Sequence, residues 1–172
     1  DYKIRVIGSN ISLDRFYSDV DTPSIIRDLI KISNPNLKEK TIFVWPEGIF
    51  SEVYQNELSE YSSTFDKNFS ENHLLIIGTN TQIENNVSKN FFNTLSIYDD
   101  KLNLLDSYNK INLVPFGEFL PFETILKKIG LKSLTNNYQP FSKGEKREII
   151  DIKKKNFSMK ILPLICYEII YS

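Results

Sequence analysis

Two short runs constrain this chain most: Thr41-Ile42-Phe43-Val44-Trp45 and Leu74-Leu75-Ile76-Ile77. Both are β-prone and almost wholly apolar. Successive side chains of a strand point to opposite faces, so a run without alternation must be covered on both sides. That pattern belongs to a sheet sandwiched between other layers. Pro46 and Gly78 are expected to close these two strands. A shorter strand is expected at Lys3–Ile7. Between the first two strands, Asp21-Thr22-Pro23 reads as a helix start with a capping residue and Pro in the first turn. Ile25, Ile26, Leu29 and Ile30 then fall on one helical face, and Asn34-Pro35-Asn36 ends it. The sequence has no alanine, so its helices must rely on packing.

The remainder suggests a second helix over Val53–Phe69 and a hairpin from Phe91–Tyr98 through Asp99-Asp100-Lys101 to Leu104–Tyr108. A loop over Ile111–Pro121, a short helix over Phe122–Ile129 and an irregular stretch over Leu131–Glu148 follow. A second hairpin joins Ile149–Ile152 to Phe157–Ile165 across Lys153-Lys154-Lys155-Asn156. The order β-α-β-α-β followed by hairpins predicts one α/β domain with a mixed sheet. With 172 residues and a formal net charge of -1, the chain can bury a core and shows no electrostatic footprint for nucleic acid. No run approaches the roughly 20 apolar residues of a membrane helix.

Three segments put polar groups beside buried strands or on an apolar loop. Glu47, in Trp45-Pro46-Glu47-Gly48, follows a buried strand, where poor solvation would suit a general base; an exposed turn is the plainer alternative. Lys110 enters the loop Ile111-Asn112-Leu113-Val114-Pro115-Phe116-Gly117-Glu118-Phe119-Leu120-Pro121. Surface connections are normally polar, so Phe116, Phe119, Leu120 and Phe122 call for a partner, a pocket or lipid. Cys166, in Pro163-Leu164-Ile165-Cys166-Tyr167-Glu168, is the only cysteine. It is expected at the end of a buried strand, as a small buried hydrophobe or as a nucleophile. Glu168, two residues on, is placed on the same side. His73, the only histidine, reads as a packing residue, so neither it nor the thiol forms a metal site. Lys153-Lys154-Lys155 reads as a solvated turn.

Taken in order, Trp-Pro-Glu, then Tyr-x-Lys-x-x-Leu-Val-Pro-Phe-Gly-Glu-x-x-Pro, then Ile-Cys-Tyr-Glu, the segments resemble the nitrilase superfamily of carbon–nitrogen hydrolases. Within it, the long middle segment resembles the apolipoprotein N-acyltransferases. The resemblance implies a nitrilase-type α-β-β-α sandwich with Cys166 as nucleophile, Glu47 as general base, Lys110 as third triad member and Glu118 beside them. It also implies that Trp45, Tyr167 and Glu168 shape the substrate site, and that Phe116, Phe119, Leu120 and Phe122 meet acyl chains. No cofactor or metal is implied. The implied partners are a phospholipid acyl donor, an apolipoprotein acceptor and the membrane, on the periplasmic side of a bacterial inner membrane. Residues 1–172 would be part of such a domain, with membrane helices before it and further strands after it. One departure stands out: Ile7-Gly8-Ser9-Asn10 lacks the Gln of the Gln-Gly-Asn-like motif usual on the first strand. Two other readings remain, a soluble amidase of the same superfamily and a silent lipid- or partner-binding module.

Overall fold

The computed structural model of the chain describes residues 1–8, 21–50, 53–84, 88–121 and 140–171. Five strands form one sheet in the order β1 (Lys3–Val6), β2 (Thr41–Trp45), β3 (His73–Glu84), β4 (Lys89–Tyr98) and β5 (Leu104–Asn109). β1, β2 and β3 run parallel, while β3, β4 and β5 are antiparallel. The expected α/β class with a mixed sheet is what the chain forms. The short helix expected over 122–129, and the adjoining stretch to 139, lie outside the described residues.

The two apolar runs explain the layering. Phe43, Trp45, Leu75 and Ile77 face one side, where α1 (Thr22–Ser33) and α2 (Ser62–Asn68) pack with Ile25, Ile26, Leu29 and Phe65. Ile42 and Leu74 face the other side. There they meet Ile150, Ile152 and Phe157 of a hairpin formed by β6 (Ile150–Lys154) and β7 (Phe157–Ile161). Among the described residues the layers therefore run helices, five-stranded sheet, hairpin. Two ion pairs dock the hairpin: Lys154 Nζ lies 2.8 Å from Asp99 Oδ2, and Lys155 Nζ lies 3.0 Å from Glu71 Oε2. The lysine run is thus only partly the solvated turn expected of it. Lys153 and Lys154 belong to β6, and the turn is Lys155-Asn156.

α1 begins and ends as its sequence suggests. Pro23 sits in the first turn, and Asn34 closes the helix in the left-handed region at φ 41°, its N–H bonded to the Ile30 carbonyl. His73 is a packing residue, buried against the Phe43 and Phe69 rings, with its imidazole bonded to Ser70 and Asn36. Trp45, expected in the substrate site, is instead core. It lies 2% exposed on the helical side, and its indole N–H donates to Ser33 Oγ at 3.0 Å. The position after an odd number of residues in a strand decides this: Trp45 shares its face with Phe43, not with Val44.

Three boundaries differ from expectation. The helix over Val53–Phe69 shortens to a 3-10 helix, Glu57–Tyr61, followed by α2. Its beginning pairs with β3 instead, as Gln55 N–H bonds the Asn80 carbonyl at 2.8 Å. β7 ends at Ile161, four residues early, ahead of Pro163, which has no N–H to give a ladder. β3 does not stop at Gly78 but continues to Glu84, paired throughout with β4. The glycine is there because the turn after β2 crosses it: a Cβ on Gly78 would come 2.6 Å from the Glu47 Cα and 2.9 Å from the Pro46 carbonyl. Gly78→Ala is expected to lower the free energy of unfolding by about 1–3 kcal/mol, the usual range for overpacking. The urea midpoint reads this, and an unchanged midpoint would mean that the Pro46-Glu47 turn yields freely.

Candidate active site

β5 ends at Asn109, and the next residue is held from both sides. Lys110 N–H donates to the Asn93 carbonyl on β4, and the Lys110 carbonyl accepts from Gly144 N–H, each at 2.9 Å. Gly144 must be glycine, since a Cβ there would lie 2.1 Å from the Asn109 carbonyl oxygen. With its backbone fixed, Lys110 turns a side chain that is 1% exposed towards two carboxylates. Its Nζ lies 3.0 Å from Glu118 Oε1 and 3.3 Å from Glu47 Oε1. The Asn93 amide completes the cluster by donating to both: to Glu118 Oε1 at 2.6 Å and to Glu47 Oε1.

Each carboxylate arrives on a tight turn. Glu47 follows β2 and precedes Gly48, whose φ of 69° lets the chain reverse. Glu118 sits on the turn Val114–Phe119, in which Gly117 and Glu118 N–H groups bond the Val114 carbonyl. The Glu118 carboxylate returns the bond by accepting Val114 N–H at 2.8 Å. Burial would push the Lys110 pKa down. The hydrogen bond to Glu118 and the charges of Glu47 and Glu118 outweigh it, so the pKa lies above the usual lysine value. Lys110 is therefore an ammonium and hydrogen-bond donor at neutral pH. Of the two carboxylates, Glu47 is the accessible one, with a side chain 37% exposed against 11% for Glu118.

Cys166 does not end a strand, as expected, but opens a 3-10 helix, Cys166–Tyr171, from the loop after β7. It is exposed and takes φ 54°, a left-handed conformation costly for a residue with a Cβ. Its chain neighbour Tyr167 touches the cluster, since the Lys110 Nζ lies 5.5 Å from the ring centroid. The Tyr167 hydroxyl donates to the Leu113 carbonyl at 2.6 Å. Glu168 is not on the thiol's side but fully buried, so it cannot line a substrate site. Its Oε1 accepts the N–H groups of Ile111 and Asn112 at 2.9 Å each, and its Oε2 accepts Ile165 N–H at 3.0 Å. The Tyr108 hydroxyl donates at 2.9 Å, and Arg147 Nη2 stands 3.3 Å away.

The structure thus brings Glu47, Lys110 and Glu118 into contact and sets Tyr167 against them, with Cys166 next in the chain. Phe119 and Tyr167 line a cavity of about 600 Å³. Phe116 is 72% exposed at φ 64°, and Leu120 is half-buried. Asn93 escapes the sequence reading. Its one signal is an amide in the middle of the otherwise apolar and hydroxyl-bearing strand Phe91-Phe92-Asn93-Thr94-Leu95, where it is buried. Among the described residues no group of three or more His, Cys, Asp and Glu side chains is placed to hold a metal ion.

Burial would raise the Glu168 pKa, but the N–H groups of Asn112, Ile165 and Ile111 and the Tyr108 hydroxyl hold it below the usual glutamate value. A carboxyl depressed in the folded state contributes stability above its unfolded pKa, about 4.3 for glutamate, and that contribution fades as pH falls through the folded value. Glu168→Gln is expected to cost about 3 kcal/mol at neutral pH, as for a broken buried ion pair. It should also flatten the loss of stability below about pH 4.3. Urea unfolding across pH measures both, and parallel profiles for the two proteins would contradict the assignment.

Comparison with known proteins identifies a family and several relatives. The family model for carbon-nitrogen hydrolases matches residues 39–172. Among curated relatives, an apolipoprotein N-acyltransferase of Rhizobium leguminosarum bv. trifolii is 28% identical over 90% of this chain and 29% of its own length. One of Allorhizobium ampelinum is 25% identical over 98% of this chain and 32% of its own length. The chain therefore spans about three-tenths of the length of these relatives. Among solved structures, an amidase from Nesterenkonia sp. AN1 is 14% identical with a TM-score of 0.42, covering 86% of this chain and 53% of that one. A glutamine-dependent NAD+ synthetase from Acinetobacter baumannii is 14% identical with a TM-score of 0.47, covering 81% and 24%. Matched over more than half its length, and with the Glu47–Lys110 contact inside the matched segment, this chain belongs to the carbon–nitrogen hydrolase family.

Proposed function

We propose that the chain is the catalytic part of a bacterial acyltransferase that moves a fatty acyl group from a phospholipid to the N-terminal amine of the diacylglyceryl-cysteine of apolipoproteins. One observation carries the reading. A buried ammonium between two carboxylates lies against Tyr167, and that same tyrosine lines a 600 Å³ cavity walled by Leu113, Pro115, Phe119 and Phe141. Charge for handling an oxyanion thus adjoins apolar space of the kind an acyl chain fills. The exposed Phe116 beside it suits a loop that dips into lipid. The names of the curated relatives point the same way. In this reading the domain works at the periplasmic face of the inner membrane. No described helix of this chain is long and apolar enough to cross a membrane, so other segments would supply the anchor.

The chemistry follows from the groups present. Glu47, the accessible carboxylate, takes the Cys166 thiol proton as Sγ attacks the ester carbonyl carbon. The carbonyl oxygen becomes an oxyanion, stabilised by the Lys110 ammonium. The carbon–oxygen bond to glycerol then breaks, and Glu47 returns the proton to the departing lysophospholipid oxygen. A thioester on Cys166 remains. The acceptor amine attacks it, Glu47 takes the amine proton and passes it to the leaving Sγ, and an amide is formed. Glu118 and Asn93 touch no substrate atom in this scheme. They hold Lys110 and Glu47 at their working positions.

The family description favours a second reading, an amidase that opens a carbon–nitrogen bond and discharges its acyl-enzyme to water. Mass spectrometry of the full-length enzyme incubated with phospholipid separates the two. The expected result is an acyl increment on Cys166 that an apolipoprotein peptide removes with N-acylation of that peptide. Release as free fatty acid alone, or no increment at all, would overturn the transferase reading. Cys166→Ala should carry no increment. Glu47→Gln should acquire it about 10²–10⁴-fold more slowly, the usual weight of a general base.

A further inference from the structure

The segment Phe141–Gly144 is bonded to the site along its whole length. Phe141 N–H donates to the Glu118 carbonyl at 2.8 Å, Ser142 N–H to the Phe91 carbonyl at 2.6 Å, and Gly144 N–H to the Lys110 carbonyl at 2.9 Å. With Gly144 pressed on Asn109, this stretch is a fixed wall of the cavity. One charged residue of that wall lines the cavity, Lys143, among Leu113, Pro115, Phe119, Phe141 and Tyr167. Its basic neighbours are neutralised: Lys146 Nζ lies 2.6 Å from Glu148, and Arg147 lies 3.3 Å from Glu168. Lys143 has no acidic partner among the described residues. It also borders a neighbouring depression of about 390 Å³, lined by Asp106, Glu145, Glu148 and Lys146 among others. None of those carboxylates lines the apolar cavity.

We propose that Lys143 is a donor-recognition residue that binds the phosphodiester of the phospholipid while its acyl chain occupies the apolar cavity. The inference rests on the acyltransferase reading above and names which part of the donor the site reads. A glycerophospholipid joins an apolar chain, an ester carbonyl and a phosphate monoanion within a few bonds of one another. The cavity offers the same sequence of environments: apolar wall, Lys110 cluster through Tyr167, and an ammonium without an acidic partner among the described residues, carried on hydrogen-bonded backbone. An acceptor without a phosphate gains nothing from Lys143, so the residue acts on the first half-reaction.

The test is acylation of Cys166 in the full-length enzyme, in uncharged detergent, by a diacyl phospholipid and by the diacylglycerol with the same chains. The ratio of kcat/KM for the two donors is expected to fall roughly tenfold in Lys143→Gln, the weight of one charge-assisted contact, and to recover in Lys143→Arg. A ratio unchanged from the parent, or a fall that arginine does not reverse, would overturn the assignment. If the parent enzyme gains no acyl mass from either lipid, it is the acyltransferase reading that fails. A parent that is acylated with an unaltered ratio in the variant leaves that reading standing and removes only Lys143.

Discussion

One buried carboxylate ties the segment after Lys110 to the segment before Cys166. Glu168 accepts N–H groups from the two residues after Lys110 and from the residue before Cys166. These segments lie more than fifty positions apart in the chain and belong to different layers, the five-stranded sheet and the loop after the hairpin. Without a shared acceptor, three buried N–H groups would lack partners, and each unmet donor in an interior costs on the order of 1–3 kcal/mol. The left-handed backbone at Cys166 needs such an anchor, because a lone residue would relax out of it. Arg147 and Tyr108 complete the arrangement by answering the charge that Glu168 brings inside.

The second arrangement is electrostatic and sits on the sheet proper. Two carboxylates share one ammonium, with the Asn93 amide donating to both. The ammonium and the amide offset the repulsion between Glu47 and Glu118, and the two carboxylates keep Lys110 charged. Close approach makes this possible. The Glu47 turn can cross β3 because Gly78 has no side chain, and the backbone around Lys110 can be gripped because Gly144 has none.

Much of this was legible in the sequence, for identifiable reasons. The runs at Thr41–Trp45 and Leu74–Ile77 required a doubly covered sheet, and helices and hairpin cover it from opposite sides. Glu47 and Lys110 stood out as polar groups in apolar company, the family resemblance added Glu118, and the three meet in space. Trp45 was misplaced because chain adjacency to Glu47 says nothing about which face of a strand a side chain takes. Glu168 was misplaced because the strand expected through Cys166 gives way to a 3-10 helix after Pro163, which turns the carboxylate inward. Asn93 was overlooked because an asparagine is common in this chain, and only the register of β4 against β5 brings it beneath the lysine.

Gly144 has a consequence for how such sequences vary. Its missing side chain is where the backbone of Asn109 lies, so no other residue type fits while the lysine keeps its place. Substitution can reshape the wall of the cavity at Phe141 or Lys143, but it must pass around position 144. The glycine marks the point at which the lining of the cavity is pinned to the Lys110 cluster, and a variant without it would have to rebuild the exit from β5.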